Sequence, residues 1–313
     1  MKNKKGVNMI KKEEIKEILN NNDLLSLIKL ANDIYKKNRK KDFELCSIIN
    51  AKSGACSEDC KFCAQSIHWK TEIEVYPLKK RDEILKEAEI ARKNRAERFG
   101  IVTSGRGISD KDIEEIANTI YKMKKEIGIE PCASLGEITE KQLKILKDAG
   151  LTRYHHNIET SKNYYPNIVT THKFEDRIKT IKLVKNSGME ICSGGIIGLG
   201  ESMDDRIDMA LTLDKLNVDG VPINILVPIK GTPLENQEPL SIEEIIRTIA
   251  IFRIILKDKI IKIAAGRESK LKDFQSLAFL AGANGMLIGG YLTIRGRSVE
   301  DDIFLTENLL QLL

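Results

Sequence analysis

From residue 42 onward the chain alternates, eight times over, between short apolar runs rich in β-branched residues and longer amphipathic stretches. The strand-like runs fall at 42–50, 98–104, 130–135, 151–157, 189–196, 220–227, 260–265 and 285–289. Helical spacing of apolar residues fills the intervals at 81–96, 110–128, 139–149, 173–187, 203–217, 241–257 and 270–282, and a short helix near 299–312 closes the chain. Strands that alternate with helices pair in parallel, because each helix carries the chain back to the starting edge of the sheet. Eight such units favour closure into an α/β (β/α)8 TIM barrel. Residues 1–40 read differently, as amphipathic helices over Ile10–Leu19 and Leu24–Tyr35. The expected organisation is therefore an N-terminal helical extension over 1–40 and one barrel domain over 41–313.

Within that framework the stretch Cys56-Ser57-Glu58-Asp59-Cys60-Lys61-Phe62-Cys63 puts three thiols into eight residues. Thiolates so close together converge on iron–sulfur or zinc. A structural zinc site takes four protein ligands, and His68 is the sole further candidate nearby. Three cysteines without a fourth ligand fit a 4Fe–4S cubane that leaves one iron open. The other three cysteines, Cys46, Cys132 and Cys192, stand singly in strand-like runs, where each alone reads as a small buried hydrophobe. In a barrel, however, they fall on strands 1, 3 and 5, and Arg267 lies just past strand 7. Inward residues of alternate strands share a layer, so the four could converge inside.

Composition narrows the field. A net charge of +5 with 31% charged residues of both signs speaks for solubility and against a nucleic-acid footprint. No apolar run approaches the ~18 residues that span a bilayer, and the charged N-terminus lacks the apolar core of a secretory signal. Six cysteines in such a chain point to a reducing, cytoplasmic location rather than to disulfides.

The CxxxCxxC pattern after a strand-like run (Phe43–Lys52) resembles the signature of the radical S-adenosylmethionine enzymes. Six longer stretches resemble one family among them, the biotin synthases: SIINAKSGACSEDCKFCAQS (47–66), YHHNIETS (154–161), ICSGGIIGLGE (191–201), NILVPIKGTPL (224–234), AAGRE (264–268) and AGANGMLIGGYLT (281–293). They run in family order across nearly the whole chain. The resemblance implies a sulfurtransferase that converts dethiobiotin to biotin. In it, the cluster on Cys56, Cys60 and Cys63 binds S-adenosylmethionine and cleaves it to a 5′-deoxyadenosyl radical. Radicals formed at C9 and then C6 of dethiobiotin take sulfur from a second iron–sulfur cluster, which requires two S-adenosylmethionine molecules per biotin. The resemblance also implies an electron donor of flavodoxin or ferredoxin type, an outside sulfur donor and a homodimer.

Residue by residue, the resemblance assigns Phe62 and the run Gly194, Gly195, Ile196 and Gly198 to S-adenosylmethionine. It gives Asn157 and Glu159 to the ribose and substrate, and Arg177 to the cofactor's carboxylate. The family usually has Asp where Glu159 stands. Asn157 and Asn224, with Lys52 nearby, match contacts to the ureido ring, and Thr293 matches part of a carboxylate-binding loop in which Ile294 replaces a second threonine. The second cluster of the family is a 2Fe–2S cluster held by three cysteines and one arginine, matched here to Cys132, Cys192 and Arg267. The remaining family cysteine falls on Gly100, which cannot coordinate iron. Cys46 is the unassigned thiol placed to substitute, and a ligand moved between strands makes a larger, cubane-type cluster an open option. A 2Fe–2S site with two cysteines, the arginine and solvent is the rival. Two other functions stay open at this point: a maturation or rearrangement enzyme on the same barrel, and a non-catalytic iron–sulfur protein for electron transfer or sensing.

Overall fold

Nine short strands, all paired in parallel, close into a ring in the computed structural model, which describes residues 10–290 and 297–311. They are β1 Glu44–Lys52, β2 Arg98–Thr103, β3 Glu130–Ser134, β4 Arg153–His155, β5 Glu190–Cys192, β6 Gly195–Ile197, β7 Gly220–Ile225, β8 Ile260–Ile263 and β9 Gly285–Leu287. The order runs β5-β4-β3-β2-β1-β9-β8-β7-β6, and β5 also pairs with β7, which closes the barrel. β5 and β6 are two halves of one stave, so the ring has the eight positions expected from the alternation.

The fifth stave is broken for a steric reason. A Cβ on Gly194 would lie 1.9 Å from the carbonyl oxygen of Pro222, and one on Gly195 would lie 2.3 Å from that of Glu159. Only glycine lets the backbone pass so close. The passage gives Gly195 a bridge to Glu159, and Glu159 itself has a left-handed φ of 66°.

The barrel is wrapped by α3 Arg81–Lys93, α4 Asp110–Lys122, α5 Glu140–Asp148, α6 Phe174–Asn186, α7 Met203–Lys215, α8 Ile242–Leu256 and α9 Gln275–Leu280. The expected helix over 110–128 finishes as a π turn at Met123–Ile127, ended by Gly128 in the left-handed conformation. The one over 270–282 is regular helix only in its second half. Before the barrel come α1 Lys12–Asn21 and α2 Leu24–Asn38, and after it α10 Val299–Leu310. α2 lays Leu27, Ile28, Ala31 and Tyr35 against α8 and α9. This contact explains why 11 of the 15 residues of α8 are buried: the helix is sandwiched between barrel and α2. Arg253 of α8 is itself fully buried, under the Tyr35 ring at 5.2 Å and donating to the Gly282 carbonyl and Asn284 Oδ1. Among the described residues no helix is long and apolar enough to cross a membrane.

The floor of the barrel is polar. Glu44, 1% exposed, accepts from Arg98 Nε (3.1 Å), Arg153 Nη1 (2.6 Å) and Lys262 Nζ (2.6 Å). Burial alone would raise the Glu44 pKa, but Lys262, Arg153 and Arg98 outweigh it and hold the carboxylate far below its usual range. Arg98 and Arg153 also reach Glu190 (3.0 and 2.9 Å), so against these two carboxylates Lys262 is the cation in excess, and it is the one next to an interior cysteine, Cys46.

Candidate active site

Inward side chains line one cavity from this floor to the mouth. Cys46 of β1, Cys132 of β3 and Cys192 of β5 are all buried and all border it. Cys46 Sγ lies 3.0 Å from Lys262 Nζ. Burial pushes the Cys46 thiol up to about 11, against the pull of Lys262, and raises Cys132 and Cys192 too. Above them Cys56, Cys60 and Cys63 face the same cavity from the loop after β1. Burial raises Cys60 strongly and Cys63 to about 11. Thiols raised in this way become ligands by giving their protons to a bound metal centre. The described residues do not draw three His, Cys, Asp or Glu side chains into a single-ion cage. Both sets of thiols border the one cavity.

The cysteine loop owes its shape to its spacer residues. Asp59 accepts from the backbone N–H groups of Thr170 (2.9 Å) and Thr171 (3.1 Å) and from the Thr170 hydroxyl, and shares the Thr171 hydroxyl (3.0 Å) with Glu58. Lys61 N–H donates to the Ile168 carbonyl (2.9 Å). Glu58, 6% exposed, accepts from the Thr171 hydroxyl (2.7 Å) and meets His172 Nδ1 at 2.5 Å. The sequence reading passed over Glu58, Asp59 and His172. The contacts that tie Glu58 and Asp59 to Thr170, Thr171 and His172 span more than a hundred residues, and no local pattern marks them.

Asn157, Glu159, Arg177 and Asn224 all border the cavity that both cysteine sets line. The Asn157 amide is held by Gly194 N–H donating to Oδ1 (3.1 Å), and that of Asn224 by bonds to the Gly195 carbonyl and from Ala265 N–H, each 3.1 Å. Both amides therefore present their remaining donor and acceptor capacity in fixed directions. Burial raises the Glu159 pKa against the nearby Arg177. Phe62 borders the cavity and packs with Ile196, Leu199 and Leu226. The glycine run lies alongside rather than in the cavity wall: Ile196 N–H donates to the Glu159 carbonyl (2.8 Å), and Glu201 accepts from the N–H groups of Gly198 and Leu199.

Two expected residues stand elsewhere. Arg267 does not reach the cavity. Its guanidinium, 0% exposed, is taken up by Asp302 of α10 (2.8 Å), Glu268 (2.8 Å), Gln275 and the Leu287 carbonyl (3.2 Å). The cation on that stave that faces the cysteines is Lys262 of β8. Lys52 is also off the cavity, because the β1–β2 register slips between Asn50 and Lys52 and turns its amine toward Asp112 (3.7 Å). Gly100 does border the cavity opposite Cys132, and Ile48 Cγ2 would crowd a Cβ there at 3.1 Å. Thr293 and Ile294 lie outside the described residues. His155, in register with Cys192, completes the wall; burial, then Lys262 and Arg153, keep its imidazole neutral.

This barrel is shared with other enzymes. Solved methylornithine synthase superposes with a TM-score of 0.78 at 17% identity, covering 98% of this chain and 94% of that one. A maturase of the [FeFe]-hydrogenase gives 0.81 at 16%, covering 97% and 72%. At such identities the likeness shows the fold alone. The sequence goes further: residues 51–213 match the model of the radical SAM superfamily, and residues 222–309 match the biotin and thiamin synthesis associated domain. Biotin synthase of Thermotoga petrophila is 54% identical over 271 residues, 86% of this chain and 90% of its own length. The chain belongs to the biotin synthase family. Biotin synthase of Clostridium acetobutylicum, 51% identical over 93% of this chain and 89% of its own, is a second such relative. Membership makes the chain a radical S-adenosylmethionine enzyme of the sulfurtransferase type. It implies a 4Fe–4S cluster and S-adenosylmethionine.

Proposed function

We propose that this chain converts dethiobiotin to biotin, with Cys56, Cys60 and Cys63 holding the 4Fe–4S cluster and Cys46, Cys132 and Cys192 holding a second, sulfur-donating cluster. The observation that carries the reading is the one cavity bordered by both cysteine sets and by the oriented amides of Asn157 and Asn224. When bound, the first cluster and S-adenosylmethionine supply a 5′-deoxyadenosyl radical and the second cluster supplies the sulfur.

The chain's own share is placement. Asn157 and Asn224 offer both hydrogen-bond roles to a urea ring from the two staves that flank the split fifth stave, which would hold the substrate between the two sulfur sets. Glu159 and Arg177 lie 3.7 Å apart at the level of the upper cysteines, suited to ribose hydroxyls and to the cofactor's carboxylate, respectively. Phe62 and Ile196 would give the cofactor an apolar flank beside the glycine run. Lys262 and Arg153 would compensate the negative charge of the lower cluster, with Lys262 donating to Cys46 where the family has an arginine ligand. Three thiols on β1, β3 and β5, with no cysteine on β2, favour a cubane-type cluster over the family's 2Fe–2S. A flavodoxin- or ferredoxin-type donor, an outside source of sulfide and a homodimer complete the proposal, as does a barrel domain beginning near residue 41.

The test is anaerobic. Reconstituted protein given S-adenosylmethionine, a low-potential reductant and dethiobiotin is expected to yield biotin and 5′-deoxyadenosine by mass spectrometry. Deoxyadenosine without biotin would remove the substrate or the lower cluster from the reading. Cys46→Ala is expected to lose iron, sulfide and the lower cluster's Mössbauer signature while still producing deoxyadenosine. Unchanged spectra would strike Cys46 from the ligand set.

A further inference from the structure

His172 is a buried imidazole with both nitrogens engaged. Nδ1 lies 2.5 Å from Glu58 Oε2 in the cysteine loop, and Nε2 lies 3.0 Å from Arg177 Nη2. A guanidinium has donors only. Nε2 must therefore be the acceptor, Nδ1–H must be the donor to Glu58, and the ring is neutral in one tautomer. Burial, then the charge of Arg177, hold its pKa below the ordinary value, in agreement with the geometry. Arg177 is fixed on its other edge by Nε donating to the Tyr165 hydroxyl (3.1 Å), and the Tyr165 ring stands edge-on to His172 at 6.0 Å. These contacts leave Nη1 of Arg177 directed to the cavity beside Glu159.

We propose that His172 is a positioning residue of the S-adenosylmethionine site, passing the folded state of the cysteine loop through Glu58 to Arg177 and so aiming the guanidinium at the cofactor's carboxylate. The inference rests on the assignment of Arg177 given above. It means that the loop carrying Cys56, Cys60 and Cys63 and the group binding the cofactor's carboxylate are ordered together, through a ring whose two nitrogens must play opposite roles.

Two substitutions separate those roles. Gln places an amide oxygen near the Nε2 position and can still accept from Arg177, whereas Asn places an amide N–H near Nδ1 and can still donate to Glu58. S-adenosylmethionine affinity is read from titration of the reduced cluster's electron paramagnetic resonance signal, normalised to iron content, alongside thermal melts of the cluster-free chain. The expected result is an affinity about tenfold weaker in His172→Ala and His172→Asn, the size of one lost hydrogen bond to a charged group, and within about threefold of wild type in His172→Gln. In an Arg177→Gln background, His172→Ala is expected to add nothing. Weaker melting or lower iron content in the His172 variants with unchanged affinity per cluster would make the residue merely structural and overturn the proposal. The same holds if Asn and Gln behave alike. Wild-type affinity in Arg177→Gln alone would instead overturn the assignment of Arg177, and the proposal with it.

Discussion

At the scale of single residues, the interior of this barrel is governed by charge that the primary structure conceals. Lys262 sits between isoleucines in a run that reads as an ordinary apolar strand, and a fully buried lysine is rare unless it is paired. Its partner, Glu44, lies on the far side of the chain's closure, so nothing near residue 262 announces the pair. Arg267, beside a glycine and a glutamate, looks the more functional cation, yet it ties α10 to the barrel through Asp302. Cys46, Cys132 and Cys192 could be placed on their strands from the sequence, but the cation facing them could not. The network makes a sharp prediction. Glu44→Gln leaves Lys262 without its carboxylate while Arg98 and Arg153 keep Glu190 (3.0 and 2.9 Å), and a buried charge stripped of its partner costs about 3–5 kcal/mol. Lys262→Met leaves Glu44 with two arginines and should cost clearly less. Urea unfolding of the cluster-free variants measures both, and a smaller loss in Glu44→Gln than in Lys262→Met would contradict this account of the floor.

At the scale of elements, the alternation of short β-branched runs with amphipathic stretches places every barrel strand, because the period changes from 2 to 3.6 at each boundary. What the pattern leaves out is where the chain is pinched. The split of the fifth stave follows from two carbonyls, those of Pro222 and Glu159, that press on Gly194 and Gly195. The glycine run is visible in the sequence; the groups that press on it are not. The cysteine loop is a similar case. Its thiols are legible from spacing, but its shape is set by Asp59, which fastens it to Thr170 and Thr171. Asp59→Ala removes three accepted hydrogen bonds and a share in the Thr171 hydroxyl from a partly exposed site, and a stability loss of about 1–2 kcal/mol is expected after allowance for solvent. The larger expected effect is on the loop: iron retained on Cys56, Cys60 and Cys63 should fall, while the lower cysteines keep theirs. Selective loss of the upper cluster's spectroscopic signature checks this. Equal loss from both sets would mean that Asp59 supports the whole barrel and not the loop.

At the scale of the whole molecule, the barrel buries ionisable groups that ordinary proteins keep in water, and its stability must therefore depend on pH in a definite direction. His155 and His156 both lie at the end of β4 with pKa values held well below the ordinary one, chiefly by burial, with Lys262 adding to the effect at His155 and Arg177 at His156. His156 Nε2 has no partner among the described residues. A base whose folded pKa is depressed stays neutral in the native state while the unfolded chain takes up a proton. Stability is therefore fully present above the unfolded value near 6.5 and is lost as pH falls below it, by about 1.4 kcal/mol per pH unit for each such histidine. Glu44 adds its own loss only at lower pH, because its pKa lies below the ordinary carboxylate value, whereas Glu159 and Asp302, raised by burial, take up protons more readily in the folded state and act in the opposite direction as pH falls. Cluster-free protein unfolded in urea at pH 7.5, 6.5 and 5.5 should show little change over the first interval and a marked fall over the second. His156→Phe keeps a ring in the same buried site and removes one proton-binding group, so its lower interval should be shallower by one histidine's share. An unchanged slope in that variant would mean that His156 is protonated in the native barrel, and that burial does not govern it.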